Sequence, residues 1–574
     1  MKIVITGAGI VSSLGFGKEA TLRALLDERS GVSVPEIMET AHTEHPVGEV
    51  KAPNAELALR LDLLADEVLS RTSLLGLFAA REALDQAAVT DVHRMAFISG
   101  TTVGGMDHTE RYWMDREQNA KRIVELHTAG SSTEQIARHI GEFACVTTIS
   151  TACSSALNAV IAACDMLRTG QYTQALVGGA ESLSRFHFNG FRSLQILSTE
   201  ACRPFSADRQ GLNLGEGAAY LVIETEESAI SRKAPILAYI NGYGNACDAF
   251  HQTASSDNGE GAYRAMQQAL QMTHLPAAEV DYINAHGTGT PNNDISETTA
   301  MQRVFGDALP AFSSTKAFTG HATSAAGSIE LVISLLALQH DFLPANLNWQ
   351  SPMENGLVPV LHTTPMQLQH VLCNSFGFGG NDSSLLLGKE GRALTEQNEP
   401  TSYQVLADIE PAEDADYKQY MSPLQARRLT PALRRLVIAA YQALETAPDI
   451  PIDAIITGTD LGCICYSVAL LDQLMQEGED ALKPTLFMQS THNTPSSLIA
   501  IQLHNNGYNC TYSHGKNSYT DALHDAKTQI QLGSIRTALV LGFEEVDEAW
   551  QQLEQSAGSG HTMQVRATLI TKRD

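Results

Sequence analysis

Short apolar runs alternate with longer helical patterns along the first two thirds of the chain. Residues 95–100 and 175–180 have the continuous apolar character of buried strands, while residues 73–87 and 156–170 have apolar positions at helical spacing. Buried strands that alternate with helices are typical of layered α/β proteins, in which helices cover the sheet faces. The pattern therefore predicts an α/β fold with buried sheets.

The first nine residues, MKIVITGAG, predict a buried strand that runs into a tight turn. They resemble the start of a Gly-x-Gly-x-x-Gly dinucleotide motif. However, Ser12 stands at the third glycine position, and no acidic ribose ligand follows at the expected distance. We therefore do not predict a dinucleotide site here.

A polar stretch, residues 389–402, is predicted to be a linker. Three later blocks match earlier blocks in the same order: 437–444 matches 77–84, 456–462 matches 98–104, and 533–542 matches 170–179. Three ordered matches indicate a shared fold. We therefore predict one domain of residues 1–388 and a shortened copy, residues 403–574, of its N-terminal half.

Composition excludes several classes of function. A formal net charge of −27 argues against nonspecific nucleic-acid binding, which needs dense lysine and arginine. The sequence has no apolar run of about 18 residues or more and no apolar leader, so we expect a cytoplasmic protein without a membrane span. The nine cysteines form no paired framework, which favours a reducing compartment. Cys463-Ile464-Cys465 has the alternation of a strand or strand end and lacks other ligands at metal-site spacing. We therefore do not predict a metal site there.

One cysteine motif and two histidine motifs carry the candidate chemistry. In ISTACSSA, residues 149–156, a strand is predicted to end near Ser150 and a helix to begin at Cys153. Free N–H groups and the helix dipole at that position favour a thiolate. His286 lies in NAHGTGT and His321 in KAFTGHATSAAG. Each residue alone is usually structural, but the three together favour nucleophilic catalysis of carbon–carbon bond formation.

Residues 1 to about 388 resemble the β-ketoacyl-[acyl carrier protein] synthases of the elongating type. The resemblance rests on TACSS (151–155), HGTGTPNND (286–294), GH (320–321) followed by AAG (325–327), and NSFGFGG (374–380). It implies a thiolase-like layered αβαβα fold with buried mixed sheets. By the same resemblance, residues 403–574 are expected to form a shortened thiolase-like half-domain.

The same resemblance implies the catalytic roles. Cys153 would hold the growing acyl chain as a thioester, with the backbone N–H groups of Cys153 and Phe378 facing the oxyanion. His286 and His321 would stabilise the enolate-like carbanion that forms when malonyl-[acyl carrier protein] loses carbon dioxide. No metal or organic cofactor is expected.

Further positions follow from the resemblance. Lys316 and Glu330 would orient the two histidines, and Phe378 would gate the cysteine. Thr109 and Phe376 are expected to line the substrate pocket. The family usually continues Gly-Phe-Gly-Gly with Thr-Asn, whereas this chain has Asn381-Asp382. Asp294 is predicted to cap a helix rather than to act directly.

The copy has lost this chemistry. Extending its third matching block back without gaps places Lys516 opposite Cys153, and no counterpart of the two histidine loops follows. The second domain resembles the cysteine-less homologues that shape a chain-length tunnel in some polyketide and aryl-polyene systems. The resemblance therefore favours secondary-metabolite elongation over housekeeping fatty-acid synthesis.

The expected partner is an acyl carrier protein bearing acyl and malonyl thioesters, together with a homodimer or pairing with a synthase-like homologue. Two alternatives stay open. A degradative thiolase would need a second catalytic cysteine, which Cys373-Asn374-Ser375 does not provide in the required pattern. A non-catalytic carrier-binding scaffold fits the second domain better than the first.

Overall fold

The structure is a computed structural model that describes residues 1–64, 67–397 and 399–573. The strands are β1 (Ile3–Ser12), β2 (Gly15–Phe16), β3 (Ala96–Gly100), β4 (Cys145–Ile149), β5 (Gln174–Glu181), β6 (Gly217–Thr225), β7 (Ala238–Cys247), β8 (Tyr282–Asn284), β9 (Ala311–Ser313), β10 (Phe342–Leu343), β11 (Thr364–Pro365), β12 (His370–Gly377), β13 (Asn381–Gly388), β14 (Tyr403–Ile409), β15 (Ala454–Gly458), β16 (Tyr508–Tyr512), β17 (Thr537–Glu544) and β18 (Gln564–Lys572).

The α-helices are α1 (Gly17–Leu26), α2 (Asn54–Arg60), α3 (Arg71–Gln86), α4 (Met106–Tyr112), α5 (Ala120–His127), α6 (Ala129–Ile140), α7 (Ser155–Arg168), α8 (Arg185–Ser193), α9 (Glu226–Arg232), α10 (Glu260–Gln271), α11 (Pro291–Phe305), α12 (Lys316–Thr319), α13 (Ala326–His340), α14 (Pro423–Ala426), α15 (Pro431–Glu445), α16 (Ile464–Glu477), α17 (Pro484–Gln489), α18 (Thr494–Leu503), α19 (Ser518–Leu532) and α20 (Glu548–Ala557). We call β1–β13 with α1–α13 the first unit, and β14–β18 with α14–α20 the second unit. Among the described helices, none combines the length and apolar character that crossing a membrane requires.

The first unit has the layered arrangement that the sequence predicts. Its strands follow the order β4-β3-β5-β6-β1-β7-β13-β12-β8-β9, in which β1 pairs with β7 and joins the two halves. Helices α7 and α13 are buried along almost their whole length and contact each other between the halves, while α3 and α10 pack on the outer faces. A helix that is apolar on all sides needs such a central place. The αβαβα prediction is confirmed.

The second unit repeats the first half of the first unit. Its strand order, β16-β15-β17-β18-β14, matches β4-β3-β5-β6-β1. Even an irregularity recurs, because the register shifts between Ile5 and Gly7 in β1 and between Val405 and Ala407 in β14. A bulge at an equivalent place in both units supports the predicted common fold.

The two units form one continuous sheet. Strand β16 pairs antiparallel with β4 through Tyr512 and Ile149, and α19 packs against α7. The second unit therefore covers the edge of the strand that leads to Cys153. This junction brings the second unit close to the candidate site.

The predicted turn at Gly7 and Gly9 is wrong, because β1 continues to Ser12. Helix α3 explains the glycines. A Cβ atom on Gly7 would lie 2.0 Å from the Ala83 carbonyl oxygen, and one on Gly9 would lie 2.1 Å from the Ala79 carbonyl oxygen. The glycines permit close packing of the helix on the strand.

One other local prediction also differs from the structure. Cys463 and Cys465 stand at the start of α16 and not in a strand, since Cys463 is the residue before its first turn. The stretch predicted as a linker, residues 389–402, contacts the first unit at Met1. Leu394 is buried there and exchanges two backbone hydrogen bonds with Met1, of 2.7 and 2.9 Å.

Candidate active site

Cys153 lies in a short 3-10 turn, Ala152–Ser154, between β4 and α7. The residue before it, Ala152, has a φ of +53°, in the left-handed region that costs a non-glycine residue free energy. Helix α7 begins at Ser155, two residues later than predicted. This sharp turn places the buried thiol at the end of a strand and ahead of a buried helix.

The two candidate histidines reach Cys153 from different loops. His286 follows β8, and the backbone N–H groups of His286 and Gly287 donate to the Glu297 carboxylate at 2.8 and 2.7 Å. His321 follows α12, and its Nε2 lies 3.2 Å from Cys153 Sγ. Candidate ligand atoms of Cys153, His286 and His321 all lie within 4.8 Å of one another. The structure thus assembles the three predicted residues.

Burial controls the resting charges of this group. It raises the pKa of the Cys153 thiol to about 11, although Lys316 and the backbone N–H of Phe378 act in the opposite direction. Burial also holds the pKa values of His286 and His321 well below their usual range, and the Lys316 charge lowers both further. Burial therefore favours the neutral forms of the Cys153 thiol and of both imidazoles, whereas the position of Cys153 at the start of a helix favours a thiolate.

Lys316 and Glu330 form a buried ion pair beside His286. The Lys316 ammonium also donates to the His286 carbonyl oxygen at 2.5 Å and lies 3.3 Å from His286 Nδ1. Burial raises the pKa of Glu330 to about 7, against the effect of Lys316. Because an ammonium only donates, Nδ1 of His286 accepts and Nε2 carries the ring hydrogen. His286 therefore has a donor available for a substrate oxygen.

The loop that carries Phe378 lies directly beside Cys153. The backbone N–H of Phe378 faces the thiol, and a Cβ atom on Gly377 would lie 3.1 Å from the Cys153 backbone nitrogen. The Phe378 ring stacks on Phe191 with centroids 5.5 Å apart. Gly379 has a φ of +84°, which favours glycine and forms the turn of this loop.

Two cavities meet at Cys153 and Phe378. One cavity, with a volume of about 400 Å³, is lined by His286, His321, Thr288 and Thr290 among others; we call it the entrance pocket. The other has a volume of about 60 Å³, and we call it the acyl pocket after the acyl chain that the family resemblance leads us to expect. Its wall includes second-unit residues, namely Leu461, Ser467, Phe487, Ser490, Thr491 and His492. Both units thus contribute to the wall of one cavity beside Cys153.

The two residues expected to line the substrate pocket have different positions. Phe376 lines the entrance pocket, and its ring centroid lies 5.9 Å from that of His286. Thr109 is buried behind the acyl pocket, where its hydroxyl is 2.9 Å from Nδ1 of His127. The ring of His127 lines the pocket instead. Thr109 thus contacts a residue of the pocket wall, and its expected place in the substrate pocket stays a prediction.

Sequence reasoning missed the contribution of the second unit. His492 lines the acyl pocket, and the Asn493 amide donates to the Phe378 carbonyl oxygen at 2.8 Å. Asp294 does not cap α11, because Thr290 precedes the helix. Its carboxylate accepts backbone N–H groups of Phe205 and Gly289 instead. For the contribution of the second unit, the sequence offered only one signal, the polar pair His492-Asn493 in a copy that lacks the catalytic motifs.

Asn381, which departs from the family pattern, is part of the contact between the units. Its side-chain amide donates to the Asn509 backbone and side-chain oxygens, each at 3.0 Å, and its own oxygen accepts from Asn158 at 2.8 Å. Asp382 is buried, and burial with the nearby Asp248 charge raises the pKa of its carboxyl group. The departure therefore joins the active-site loop to β16.

The Cys153, His286 and His321 group also has a donor set that zinc accepts. The Lys316 ammonium, 3.3 Å from His286 Nδ1, opposes a second cation at this place. The geometry suits proton transfer and hydrogen bonding to a thioester.

Comparison with known proteins places almost the whole chain in one family. Residues 1–229 match "Beta-ketoacyl synthase, N-terminal domain", and residues 237–350 match "Beta-ketoacyl synthase, C-terminal domain". Residues 401–573 match a second "Beta-ketoacyl synthase, N-terminal domain". The chain is 33% identical over 409 residues to 3-oxoacyl-[acyl-carrier-protein] synthase 1 of Haemophilus influenzae, covering 67% of this chain and 98% of that protein.

Solved structures give the same result. The ishigamide ketosynthase/chain length factor has a TM-score of 0.64 and 33% identity, with 68% of this chain and 99% of that chain covered. The PfaC keto synthase-chain length factor covers 100% of this chain and 78% of its own, with a TM-score of 0.83 and 17% identity, which shows a shared fold. The chain is an acyltransferase-class condensing enzyme that belongs to the beta-ketoacyl synthase family.

Proposed function

We propose that this protein elongates an acyl chain held on Cys153 by decarboxylative Claisen condensation with malonyl-[acyl carrier protein]. The observation that best supports this proposal is that two pockets meet at Cys153. Nε2 of His321 lies 3.2 Å from the Cys153 sulfur, and His286 belongs to the same group. One pocket suits a bound acyl chain, and the other gives the carrier-linked malonyl group access to the thioester.

The first half-reaction loads the enzyme. Cys153 Sγ attacks the carbonyl carbon of an acyl-carrier thioester, while its proton passes to Nε2 of His321 and then to the departing carrier thiol. Backbone N–H groups of Cys153 and Phe378 face the oxygen that becomes negative. A neutral imidazole beside a neutral thiol, as the burial of this site requires, can act as the general base.

The second half-reaction forms the carbon–carbon bond. The malonyl carboxylate leaves as carbon dioxide, and the electron pair moves into an enolate whose oxygen accepts from Nε2–H of His286. The enolate carbon attacks the acyl thioester, and the Cys153 thiolate leaves and is protonated by a proton taken up from solvent. The product is a β-ketoacyl-carrier thioester two carbons longer. Lys316 and Glu330 support this step by fixing the tautomer of His286.

We also propose that residues 1–388 are the synthase domain, 389–402 the connection and 403–574 a non-catalytic domain that shapes the acyl pocket. Lys516 supports this division. It lies in the 3-10 turn Gly515–Asn517 between β16 and α19, equivalent to the turn that holds Cys153, and its side chain is exposed. The likeness to ketosynthase/chain length factor pairs supports polyketide or polyene elongation over housekeeping fatty-acid synthesis.

The contact between units also bears on assembly. The family often pairs two synthase-like subunits, and here the second unit pairs with β4, so we propose that this pairing occurs within one chain. An acyl carrier protein remains the proposed external partner, and a cytoplasmic location remains a prediction. A thiolase activity is disfavoured because Cys373 lies buried in β12, among the core residues and not on either pocket wall.

The proposal is tested by intact mass spectrometry of the carrier protein after incubation with enzyme, acyl-carrier and malonyl-carrier. We expect a β-ketoacyl product two carbons longer with the wild type and none with Cys153→Ala. Loss of carbon dioxide without elongation, in the presence of an acyl group that loads Cys153, would contradict an elongating role. Product formation by Cys153→Ala would contradict the assignment of the nucleophile.

A further inference from the structure

Two turns with strained backbone pack against each other at the candidate active site. One carries Cys153 and includes Ala152, whose φ is +53°. The other, Thr323–Ala325, begins two residues after His321 and packs on the first. Thr323 has a φ of +41°, a value that a β-branched residue rarely adopts. Such strain persists only where the surrounding contacts hold it, and it clusters at functional sites.

The Glu181 carboxylate, at the end of β5, holds the second of these turns. It is completely buried and accepts a hydrogen bond from the Ser324 hydroxyl, and Oγ1 of Thr323 lies 3.5 Å from its Oε2. The same carboxylate accepts the backbone N–H groups of Thr102 at 3.0 Å and of Val103 at 3.1 Å. Thr102, Val103 and Thr323 all line the acyl pocket. One carboxylate therefore fixes three residues of the pocket wall together with the second turn.

The second unit separates the two roles of this carboxylate. The equivalent residue there is Glu544, at the end of β17, which accepts the backbone N–H groups of Asp460 and Leu461 after β15. The second unit matches only the strands of the first half, so none of its described segments corresponds to the turn with Ser324. Holding the turn after the strand is thus common to both units. The contact with Ser324 belongs only to the unit that contains Cys153.

From this comparison we propose that Glu181 is a positioning residue for condensation, which acts through Ser324 to fix the segment that follows His321. Nε2 of His321 lies 3.2 Å from Cys153 Sγ, and proton transfer requires that this distance be kept. A hydroxyl that donates to a carboxylate forms a stronger hydrogen bond than one between neutral groups. This inference rests on the proposed function, because it assigns His321 the proton transfer of that reaction.

The test measures how fast an acyl-carrier thioester acylates Cys153 in a single turnover, by intact mass spectrometry over a range of carrier concentrations. Ser324→Ala removes only the hydroxyl that contacts Glu181. We expect the maximal rate constant to fall about 5- to 30-fold, while the half-saturating concentration changes by about twofold or less. A purely structural loss would instead lower the yield of acyl-enzyme at an unchanged rate constant, because the folded fraction reacts normally.

Ser99→Ala is the matched control, because Ser99 is also buried but its hydroxyl lies 2.6 Å from that of Tyr220. It should leave the rate constant within about twofold.

A second pair of variants is Glu181→Gln and Glu544→Gln. In both units each carboxylate oxygen accepts a backbone N–H, so neither orientation of a glutamine amide fits. Urea denaturation should show a similar loss of stability in the two variants. Acylation should slow by about 10-fold or more in Glu181→Gln and by about threefold or less in Glu544→Gln.

A wild-type rate constant in Ser324→Ala, or equal slowing by Glu181→Gln and Glu544→Gln, would overturn the inference and leave the proposed function intact. A reduced yield of acyl-enzyme at an unchanged rate constant would show a structural role and would also overturn it. Failure of the wild type to become acylated at Cys153 by any acyl-carrier would instead reject the proposed function itself.

Discussion

The side-chain amide of Asn493 donates a hydrogen bond of 2.8 Å to the backbone carbonyl oxygen of Phe378. Asn493 belongs to the second unit, whereas Phe378 belongs to the loop that lies beside Cys153 in the first. Gly379 adds to this contact, since a Cβ atom there would lie 2.1 Å from Ser497 Oγ. The second unit, which has Lys516 in the turn equivalent to that of Cys153, thus holds the loop that lies next to Cys153 in the first unit.

Asn493→Ala should lower kcat/KM for condensation by about threefold to tenfold, because the Phe378 loop loses a partly buried hydrogen bond of about 1 kcal/mol. Steady-state assays with acyl- and malonyl-carrier measure this effect. Asn505→Ala is the control, because its amide donates to the Ile452 carbonyl oxygen within the second unit. An equal loss of kcat/KM in both variants would show general destabilisation and not a role at the loop.

Alkylation of free Cys153 by iodoacetamide should accelerate about tenfold per pH unit from pH 7 to about pH 10. The reason is that burial raises the pKa of the thiol to about 11, so the thiolate fraction grows throughout this range. Peptide mass spectrometry measures the rate, and Cys153→Ala identifies the modified peptide. A plateau below pH 9 would show that the thiolate is the resting form.

Lys316→Met should destabilise the protein by about 3–5 kcal/mol, since it leaves the buried Glu330 without its partner. The double variant Lys316→Met, Glu330→Gln should recover much of that loss but not the condensing activity, because His286 Nδ1 still lacks its donor. Denaturant titration and the condensation assay measure the two effects. Arg264→Met, which removes a largely exposed ion pair with Glu260, should cost about 1 kcal/mol or less. A double variant with full activity would contradict the role of Lys316.

Glu479 joins the units, since its carboxylate accepts from Arg185 Nε at 2.9 Å, Thr40 Oγ1 at 2.7 Å and the Ala41 backbone N–H at 3.0 Å. Burial opposes ionisation, but these donors hold the pKa of Glu479 below its usual value. A lowered pKa means that this stabilisation is complete above about pH 5 and is lost as pH falls through the folded-state pKa.

Glu479→Gln should therefore lower the free energy of unfolding by about 1–3 kcal/mol at pH 7, and the difference from wild type should shrink below pH 4.5. Urea denaturation across this range measures it. Glu200→Gln, at an exposed pair with Arg203, should change stability by about 0.5 kcal/mol or less. A difference for Glu479→Gln that grows towards low pH would contradict the sign.

The sequence by itself identified the three candidate residues that the first unit brings together. Cys153, His286 and His321 each lie in a short contiguous motif whose glycines and small residues allow a sharp loop, so the motifs identify the residues before any fold is known. The ordered repeat likewise predicted the strands of the second unit, because matching apolar patterns impose matching burial. A local prediction was wrong where tertiary packing determines the role of a residue. Gly7 and Gly9 do not form a turn but allow α3 to pack closely on β1.

Only the tertiary structure decided how the two units share one site. The pairing of Tyr512 with Ile149, the contact of Asn493 with Phe378 and the position of His492 in the acyl pocket join segments more than a hundred residues apart. No local pattern encodes such contacts. The pKa of Cys153 depends on the tertiary structure in the same way, because burial by the surrounding elements is the largest influence on it and raises it.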